Sequence, residues 1–427
     1  MPRAARIIAG LLLLAATHAV AADERVLALA KAQKQPFLDT VKGLVEIESG
    51  SSDREGLDRI ADRIAANLAA LGAQVQVLEG PPDMIRIDTS PPNPGRTVVG
   101  TFRGRGTKSI LLLAHMDTVY QKGDLAKQPF RVEGDHAYGL GISDDKQAIA
   151  MLLHAAAMLK ALGFDGYGRL TLAITGDEEV GSYACRDLLM KLGSEHDVVL
   201  SFESSSESRE QVSMVTSGLG QAHLTIHGQS AHAANFGNAR GVNALDELAF
   251  QLVQLRDLHD FPNGLRVTWT IAKAGTVPNR IPDEASAIAD IRVLKVAQLD
   301  ELEKKMRGII ATQLLPGAKV ELKVIRGRPP LEARPASRAV AEHARAINAE
   351  IGRPLRVNDD QPQGGTDAAY AGLKAKGAVL EHWGVHGANA HSSRDEYIIV
   401  SSIERRLYLT VRTIMDVSLD KVRLPAP

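Results

Sequence analysis

The 427-residue sequence is poor in cysteine and in aromatic residues, and it has almost no net charge. It has one cysteine, Cys185, so no disulfide can form within the chain. Aromatic residues make up 4% and the net charge is −1, so neither base stacking nor a basic surface favours nucleic acid as a partner. After the N-terminus no apolar run reaches the roughly 20 residues that a membrane span requires. We therefore expect a globular protein without a nucleic-acid or membrane partner.

The N-terminus carries the pattern of a secretory signal. Arg3 and Arg6 are basic, residues 7–16 are apolar, and residues 19–21 read Ala-Val-Ala, a typical cleavage motif. The apolar run is too short for a transmembrane anchor. We therefore expect residues 1–22 to be a signal peptide, with a mature chain that starts near Ala22 and a periplasmic or secreted protein.

The remaining chain is too long for one hydrophobic core, and its patterns divide it into two parts. Before about residue 218, apolar strands alternate with amphipathic helices, which predicts a mixed, mostly parallel sheet with both faces covered. Residues 218–326 follow the order β-α-β-β-α-β of a ferredoxin-like unit. The first pattern then resumes. We predict an α/β fold, with one domain from residues 23–217 and 327–427 and an inserted domain from residues 218–326.

Acidic and histidine side chains occur at five places, each just past an apolar strand or in a glycine-rich turn. They are His115 with Asp117, Asp144 with Asp145, Asp177 with Glu178 and Glu179, Glu203, and His391. In an open α/β sheet such strand ends meet at one edge, where ligands bind. Alone, each residue is more often a helix cap, a solvated turn or a hydrogen-bonded core residue. Together the carboxylates would repel each other without a cation, and two histidines with three carboxylates suit divalent zinc.

The motifs around these residues resemble those of the bacterial glutamate carboxypeptidases, which are folate-hydrolysing di-zinc exopeptidases. The resemblance is carried by LLLAHMDTVY, FRVEGDHAYGLGISDDK, TGDEEVGSYACRDL, VLSFE, GQSAHA, WTIAKAG, IRGRP, GGTDAAYAG and AHSSRDEY. Acetylornithine deacetylases, succinyl-diaminopimelate desuccinylases and aminoacylases are similar at a greater distance. The resemblance covers nearly all of the mature chain and implies a zinc-exopeptidase catalytic domain with an inserted dimerisation or lid domain.

The resemblance implies a centre of two Zn²⁺ ions per subunit, with Co²⁺ or Mn²⁺ as substitutes. The implied ligands are His115 and Glu203 for one ion, Glu179 and His391 for the other, and Asp144 as the bridge between them. His386 is a second candidate histidine, but His391 is preferred because it begins the HSSRDEY motif. A cis peptide bond is also implied after the bridging aspartate, between Asp144 and Asp145.

Other matching positions imply catalytic and substrate-binding roles. The implied catalytic residues are Glu178 as general base, Asp117 as the residue that orients His115 through its other ring nitrogen, and His232 as the group that stabilises the oxyanion, from the same or the partner subunit. The implied substrate contacts are Asn279, Arg292 and Arg328, with a plain surface charge as the alternative for both arginines. Gln211 replaces a family lysine that contacts a substrate carboxylate, so we expect a less sharp preference for glutamate.

These matches predict a secreted zinc metallo-carboxypeptidase. Its reaction would be hydrolysis of the amide bond to a C-terminal glutamate, or a similar residue, in peptides, N-acyl amino acids or folate-like compounds. Within the family, an N-acyl amino acid deacylase or a dipeptidase is the alternative. A non-catalytic binding protein on this scaffold is the alternative from another class, and the intact ligand set argues against it. The expected partners are a small peptide or N-acyl amino acid substrate and a second copy of the chain, bound through the inserted domain.

Overall fold

The structure of the protein is a computed structural model. It describes residues 22–84, 90–206, 210–235, 241–359, 364–392 and 394–425. Residues 1–21, which hold nearly all of the expected signal peptide, lie outside the described residues. Across the described ranges, no helix combines the length and the apolar character needed to cross a membrane.

Helices and strands alternate along the first half of the chain, as its apolar patterns predict. The helices of the described residues are α1 Glu24–Ala32, α2 Lys34–Val45, α3 Arg54–Leu71, α4 Gln147–Ala161, α5 Arg186–Glu195, α6 Ala244–Leu255, α7 Val296–Ile310, α8 Pro335–Glu350, α9 Asp367–Lys374 and α10 Ser402–Ser418. The strands are β1 Gln74–Leu78, β2 Thr97–Arg103, β3 Ser109–His115, β4 Arg131–Glu133, β5 His136–Tyr138, β6 Arg169–Thr175, β7 Val198–Ser201, β8 Ser205–Ser206, β9 Gln211–Ser213, β10 Gly218–His227, β11 Arg266–Ala274, β12 Glu284–Val293, β13 Lys319–Arg326, β14 Arg356–Asn358, β15 Ala378–Leu380, β16 His386–Ala388 and β17 Tyr397–Ile399.

A six-stranded sheet with the order β1-β2-β6-β3-β7-β15 is the centre of the larger part of the molecule. Strands β6, β3, β7 and β15 are parallel, and β1 and β2 complete the sheet through antiparallel pairs. Helices cover both faces of β3: Leu112 belongs to the core that contains α3 and α4, and Leu113 to the core that contains α5 and α9. This double burial explains why β3 is a continuous apolar run.

The parallel strands bring the acidic motifs to one edge of this sheet. Strand β3 ends at His115, β6 ends at Thr175 and β7 ends at Ser201, and these three strands are neighbours in parallel register. The chain beyond each carboxyl end therefore emerges on the same side. There, Glu203 after β7 lies beside His115, and the backbone of Glu178 and Glu179 after β6 is hydrogen-bonded to Asp117.

A second sheet, with the order β11-β12-β10-β13, is antiparallel throughout. Side chains of β12 alternate between buried and partly exposed, and the buried ones pack with α6 and α7 in a separate hydrophobic core. The chain order β10-α6-β11-β12-α7-β13 is the predicted βαββαβ unit. The predicted α/β fold, a mixed and mostly parallel sheet with this inserted unit, is thus confirmed.

The structure also has two smaller sheets, and strands β16 and β17 of the larger one contact the segment that carries Asp144. One has the order β4-β5-β17-β16-β8, and the other pairs β14 with β9 in parallel. The residues between β16 and β17 include His391, and Glu396 lies directly before β17. These sheets therefore fix loops that the sequence alone leaves without regular structure.

Candidate metal centre

Asp144 lies between two histidines. Its Oδ1 atom is 2.9 Å from His115 Nε2, and its Oδ2 atom is 3.1 Å from His391 Nε2. The implied cis peptide bond is present between Asp144 and Asp145. One carboxylate thus faces an imidazole with each of its two oxygens, which is the arrangement expected of a bridging ligand.

Two further carboxylates complete a group around each histidine. Glu203 Oε1 is 3.5 Å from His115 Nε2, and Glu179 Oε2 is 3.4 Å from His391 Nε2. The ligand atoms of His115, Asp144 and Glu203 lie within 4.8 Å of one another, and so do those of Asp144, Glu179 and His391. The structure therefore brings all five expected ligands together as two groups that share Asp144.

The two groups differ in exposure. The His115 side chain at the end of β3 is 2% exposed, whereas the His391 side chain in the loop before β17 is 57% exposed. Burial disfavours a charged ring at His115, but Asp117, Asp144 and Glu203 hold its pKa well above the usual value. Asp144 and Glu179 raise the pKa of His391 to about 10.

The carboxylates of Asp144, Glu179 and Glu203 lie close together in a largely buried cluster. Burial raises the pKa of Glu203, and it raises the pKa of Glu179 to about 7. Glu179 Oε1 is also buried without a hydrogen-bond partner among the described residues. Imidazole nitrogens and carboxylate oxygens are the donors that zinc prefers, so the residues present fit a divalent cation in each group.

Asp117 holds the turn after β6. Its carboxylate accepts hydrogen bonds from the backbone N–H groups of Glu178 and Glu179, at 3.0 and 3.1 Å, and from Ser51 Oγ at 2.8 Å. The nearest atom to His115 Nδ1 is therefore the backbone oxygen of Asp117, at 3.0 Å, while the carboxylate is 3.5 Å away. The expected orientation of His115 is carried mainly by the backbone of Asp117, because the carboxylate is occupied elsewhere.

Glu178 is paired with a buried arginine. Arg328 Nη1 donates to Glu178 Oε1 and to the backbone oxygen of Gly365, and Nη2 donates to Glu178 O and to Ser182 Oγ. The Arg328 and Glu178 side chains are 5% and 8% exposed. Burial raises the pKa of Glu178 well above its usual value, against the opposing charge of Arg328.

This pairing differs from the expected roles of Arg328, as a substrate contact or a surface charge. The guanidinium is neither exposed nor open: each terminal nitrogen has two protein acceptors, and Asp367 Oδ1 is 3.9 Å away. A buried carboxylate needs a partner, and Arg328 provides it for Glu178. In the structure, Arg328 forms a buried ion pair with Glu178, the expected base, and does not lie on an open surface.

Gln211 is not at an open surface either. It is the first residue of β9, it is 1% exposed, and its Nε2 atom has no hydrogen-bond partner among the described residues. Its backbone oxygen accepts a hydrogen bond from Arg406. His386, the second candidate histidine, pairs with Glu210 at 3.1 Å and belongs to neither metal group.

The remaining expected residues lie on the inserted unit. His232 and Asn279 are exposed, and a hydrogen bond from Ala233 N to Asn279 O joins their segments. Arg292 on β12 is partly exposed and pairs with Asp290 at 2.9 Å. None of these three residues belongs to the metal groups.

A cavity of about 540 Å³ opens beside the second group. Its lining includes Glu179 and Val180 on one side and Thr118, Tyr120 and Lys122 on another. Such a volume suits a small organic ligand. It lies next to a carboxylate of the candidate centre, so it is the space in which part of a substrate could be held.

One residue with a prominent place in the centre was missed by the sequence interpretation. Glu396 is completely buried, and its carboxylate accepts hydrogen bonds from the loop that carries Asp144. It lies in the same HSSRDEY motif as His391. An acidic residue five positions after a candidate metal-binding histidine, just before a short apolar strand, is the signal in the sequence.

Comparisons with known proteins assign the chain to a family. The profile of peptidase family M20/M25/M40 matches residues 111–416. Carboxypeptidase G2 of Pseudomonas sp. (strain RS-16) is 40% identical over 399 residues, which cover 93% of each chain.

Solved structures show the same fold at lower sequence identity. The aminopeptidase PepT of Bacillus cereus is 19% identical, with a TM-score of 0.75 over 90% of this chain and 99% of that chain. The YXEP protein of Bacillus subtilis, a dinuclear metal binding peptidase of the M20 family, is 15% identical, with a TM-score of 0.66 over 91% and 99% of the two chains.

Proposed function

The chain belongs to peptidase family M20/M25/M40, and from this premise we propose that it is a di-zinc carboxypeptidase. The enzyme hydrolyses the amide bond to a C-terminal glutamate, or a similar residue, in peptides, N-acyl amino acids or folate-like compounds. The observation that carries the proposal is the pair of ligand groups that share Asp144, next to the buried carboxylate of Glu178.

The five ligands divide between two metal positions. His115 and Glu203 would hold one Zn²⁺, Glu179 and His391 would hold the other, and Asp144, which belongs to both groups, would serve both. When bound, a pair of zinc ions supplies Lewis acidity for the scissile carbonyl and lowers the pKa of water. Two cations also offset the repulsion among the buried carboxylates.

Glu178 moves the proton. It takes a proton from the water that attacks the scissile carbonyl carbon, and it gives this proton to the amine nitrogen as the carbon–nitrogen bond breaks. Arg328 holds the carboxylate in place, and Asp117 holds the backbone of the same turn. These contacts support Glu178 as the base and Glu179 as a metal ligand, because adjacent residues of the turn face different partners.

The inserted unit carries the substrate contacts of this proposal. Arg292 binds the C-terminal carboxylate of the substrate, for which its guanidinium offers a two-pronged donor. Asn279 positions the substrate, and His232 stabilises the oxyanion. The exposure of all three residues supports this assignment, since a group that meets a substrate must be open in its absence.

The protein is also proposed to be a homodimer that pairs through the inserted unit. Strand β11 is the last strand of its sheet and is exposed along most of its length. Helix α6, which packs on β10 and β12 of the same sheet, has Leu245 and Val253 exposed at 45% and 59%. An open strand edge and exposed apolar side chains on the same unit support a second copy of the chain as the partner.

Export of the protein is proposed from its N-terminal pattern alone. Residues 1–21 lie outside the described residues, so the proposal depends on the basic, apolar and small-residue order of the sequence. A periplasmic or secreted location follows. Fractionation of cells that produce the full chain, with N-terminal sequencing of the exported form, tests it.

One set of assays tests the enzymatic proposal. The purified protein is offered an acyl-glutamate, a peptidyl-glutamate and a folate-like compound, and free glutamate is measured. Matched substrates that end in alanine separate a carboxypeptidase for acidic residues from a general deacylase or dipeptidase. Glu178→Gln should retain two metals per chain and lose about 10²-fold or more in kcat. Loss of metal from Glu178→Gln, with retention in Glu179→Gln, would reverse the two assignments.

A further inference from the structure

We propose that Glu396 is a positioning residue of the metal centre. Its carboxylate fixes the loop that carries the bridging Asp144, and through Tyr120 it also fixes the segment that carries His391. The inference rests on the proposed metal-binding function of the two groups. It assigns to Glu396 the task of setting the distance and orientation of ligands that come from three separate parts of the chain.

The first observation is the set of donors around the Glu396 carboxylate. Oε1 accepts hydrogen bonds from the backbone N–H groups of Ser143 and Asp144, at 2.8 and 3.0 Å. Oε2 accepts one from the backbone N–H of Gly141 at 3.0 Å and contacts the Tyr120 hydroxyl. Three backbone groups of one short loop are thus held by a single side chain.

The second observation is the burial of this carboxylate. Glu396 is 0% exposed, and no basic side chain donates a hydrogen bond to it among the described contacts. Lys146 exerts an electrostatic influence on it, but its Nζ atom donates to the backbone oxygens of Ile47 and Leu140. The loop N–H groups and Tyr120 are therefore the partners that keep the Glu396 carboxylate in the interior.

The third observation is the second contact of Tyr120. Its hydroxyl is also 2.9 Å from the backbone oxygen of Ser392, the residue after His391. Tyr120 itself follows β3, five residues after His115. The pair of Tyr120 and Glu396 thus connects the segment of His115, the loop of Asp144 and the segment of His391.

A positioning role follows from where these contacts act. Asp144 Oδ2 and His391 Nε2, 3.1 Å apart, belong to the two segments that Glu396 and Tyr120 join. His391 is exposed and lies on a loop, so its own surroundings restrain it little. Loss of the Glu396 contacts should therefore weaken the group of Asp144, Glu179 and His391 more than the buried group around His115.

The test measures metal binding directly. Metal-free protein is titrated with Co²⁺ and with Zn²⁺, by calorimetry and by the visible absorption of bound Co²⁺. In Glu396→Gln, one carboxylate oxygen becomes an amide NH₂ that faces donors. We expect about 10- to 100-fold weaker binding of one of the two ions, a changed Co²⁺ spectrum and a smaller loss for the other ion. Tyr120→Phe should give a weaker effect in the same direction.

Glu247 supplies the matched control. It is also 0% exposed, and its Oε2 accepts hydrogen bonds from the backbone N–H groups of Leu314 and Leu315, at 3.0 and 2.8 Å. It lies in the inserted unit, away from both metal groups. Glu247→Gln should lower the unfolding temperature and leave the affinity for both ions unchanged.

Three outcomes decide the matter. If Glu396→Gln binds both ions as the unsubstituted protein does and only loses stability like Glu247→Gln, Glu396 is a structural residue and the inference is wrong. If Glu396→Gln does not fold, unchanged Co²⁺ affinity and spectrum in Tyr120→Phe overturn it equally. If the unsubstituted protein binds neither ion, the proposed function is wrong, and the positioning role of Glu396, which rests on it, is wrong with it.

Discussion

The Asp117 carboxylate accepts a hydrogen bond from the backbone N–H of Glu178 at 3.0 Å, and it thereby joins the end of β3 to the turn after β6. The same carboxylate accepts the N–H of Glu179 at 3.1 Å. The expected base and an expected metal ligand are thus held by one completely buried side chain. This relationship leads to the first prediction.

Asp117→Asn should lower metal affinity or kcat by about 10- to 100-fold. The asparagine amide carries two N–H donors where Asp117 accepts, so one of the three present hydrogen bonds must break. Metal titration and steady-state kinetics measure the effect. Asp165→Asn, on an exposed ion pair with Arg105, is the control and should change neither quantity. Equal values for both variants would contradict the role of Asp117.

Substitution of Arg328 and of Arg292 should affect the stability of the protein to different degrees. Arg328→Met leaves the buried Glu178 carboxylate without its partner, so the free energy of unfolding should fall by about 3–5 kcal/mol, measured by urea denaturation. Arg292→Met removes a partly exposed pair with Asp290, which costs less than about 1 kcal/mol.

Steady-state kinetics should also distinguish the roles of Arg292 and Arg328. If Arg292 binds the substrate carboxylate, Arg292→Met should lower kcat/KM by about 30-fold or more while stability is nearly unchanged. A stable Arg328→Met protein with a raised KM would instead return Arg328 to the substrate-binding role that the sequence suggests.

Removal of the metals should destabilise the folded protein. Without cations, Asp144, Glu179 and Glu203 are buried carboxylates close to each other, so their repulsion acts on the folded state alone. The unfolding temperature should fall when a chelator is added to the metal-loaded protein and recover when Zn²⁺ is restored. An unfolding temperature that is the same with and without chelator would argue against the centre.

Acid should destabilise the protein through a histidine far from the centre. Burial lowers the pKa of His154 from 6.5 to about 4, and its ring nitrogens contact Gln33 and Thr40. Between these pKa values the unfolded chain binds a proton that the folded chain does not, so the free energy of unfolding falls as pH drops from about 6.5 to about 4.

The contribution of His154 to this loss is at most about 3 kcal/mol. Urea denaturation at several pH values measures it, as the difference in slope between the unsubstituted protein and His154→Gln. His259→Gln, at an exposed position, serves as the control. A His154→Gln protein with an unchanged slope would show that His154 does not titrate in this way.

The sequence predicts those parts of the fold that follow from local periodicity. Apolar residues from Leu57 to Leu71 recur at intervals of three and four, and the structure has α3 there, with Gly72 as its left-handed cap. The apolar run after Ser109 becomes the buried strand β3. The five candidate ligands could be named because they lie in short motifs, past strand ends or in glycine-rich turns, that resemble those of a known family.

Contacts between distant parts of the chain could not be predicted. Arg328 and Glu178 are 150 positions apart, and Glu396 and Ser143 are 253 apart. Neither pair leaves a periodic signal, because a buried ion pair or a carboxylate that binds backbone N–H groups depends on how loops meet.

The position of Asp144 between His115 and His391 has a thermodynamic consequence. Because each oxygen of this carboxylate belongs to a different group, the two groups are not independent binding sites. A cation bound in one group would fix Asp144 and would alter the electron density that its other oxygen offers to the second group. The coupling free energy that results is reciprocal: the factor by which the first ion changes the affinity for the second equals the factor by which the second changes the affinity for the first.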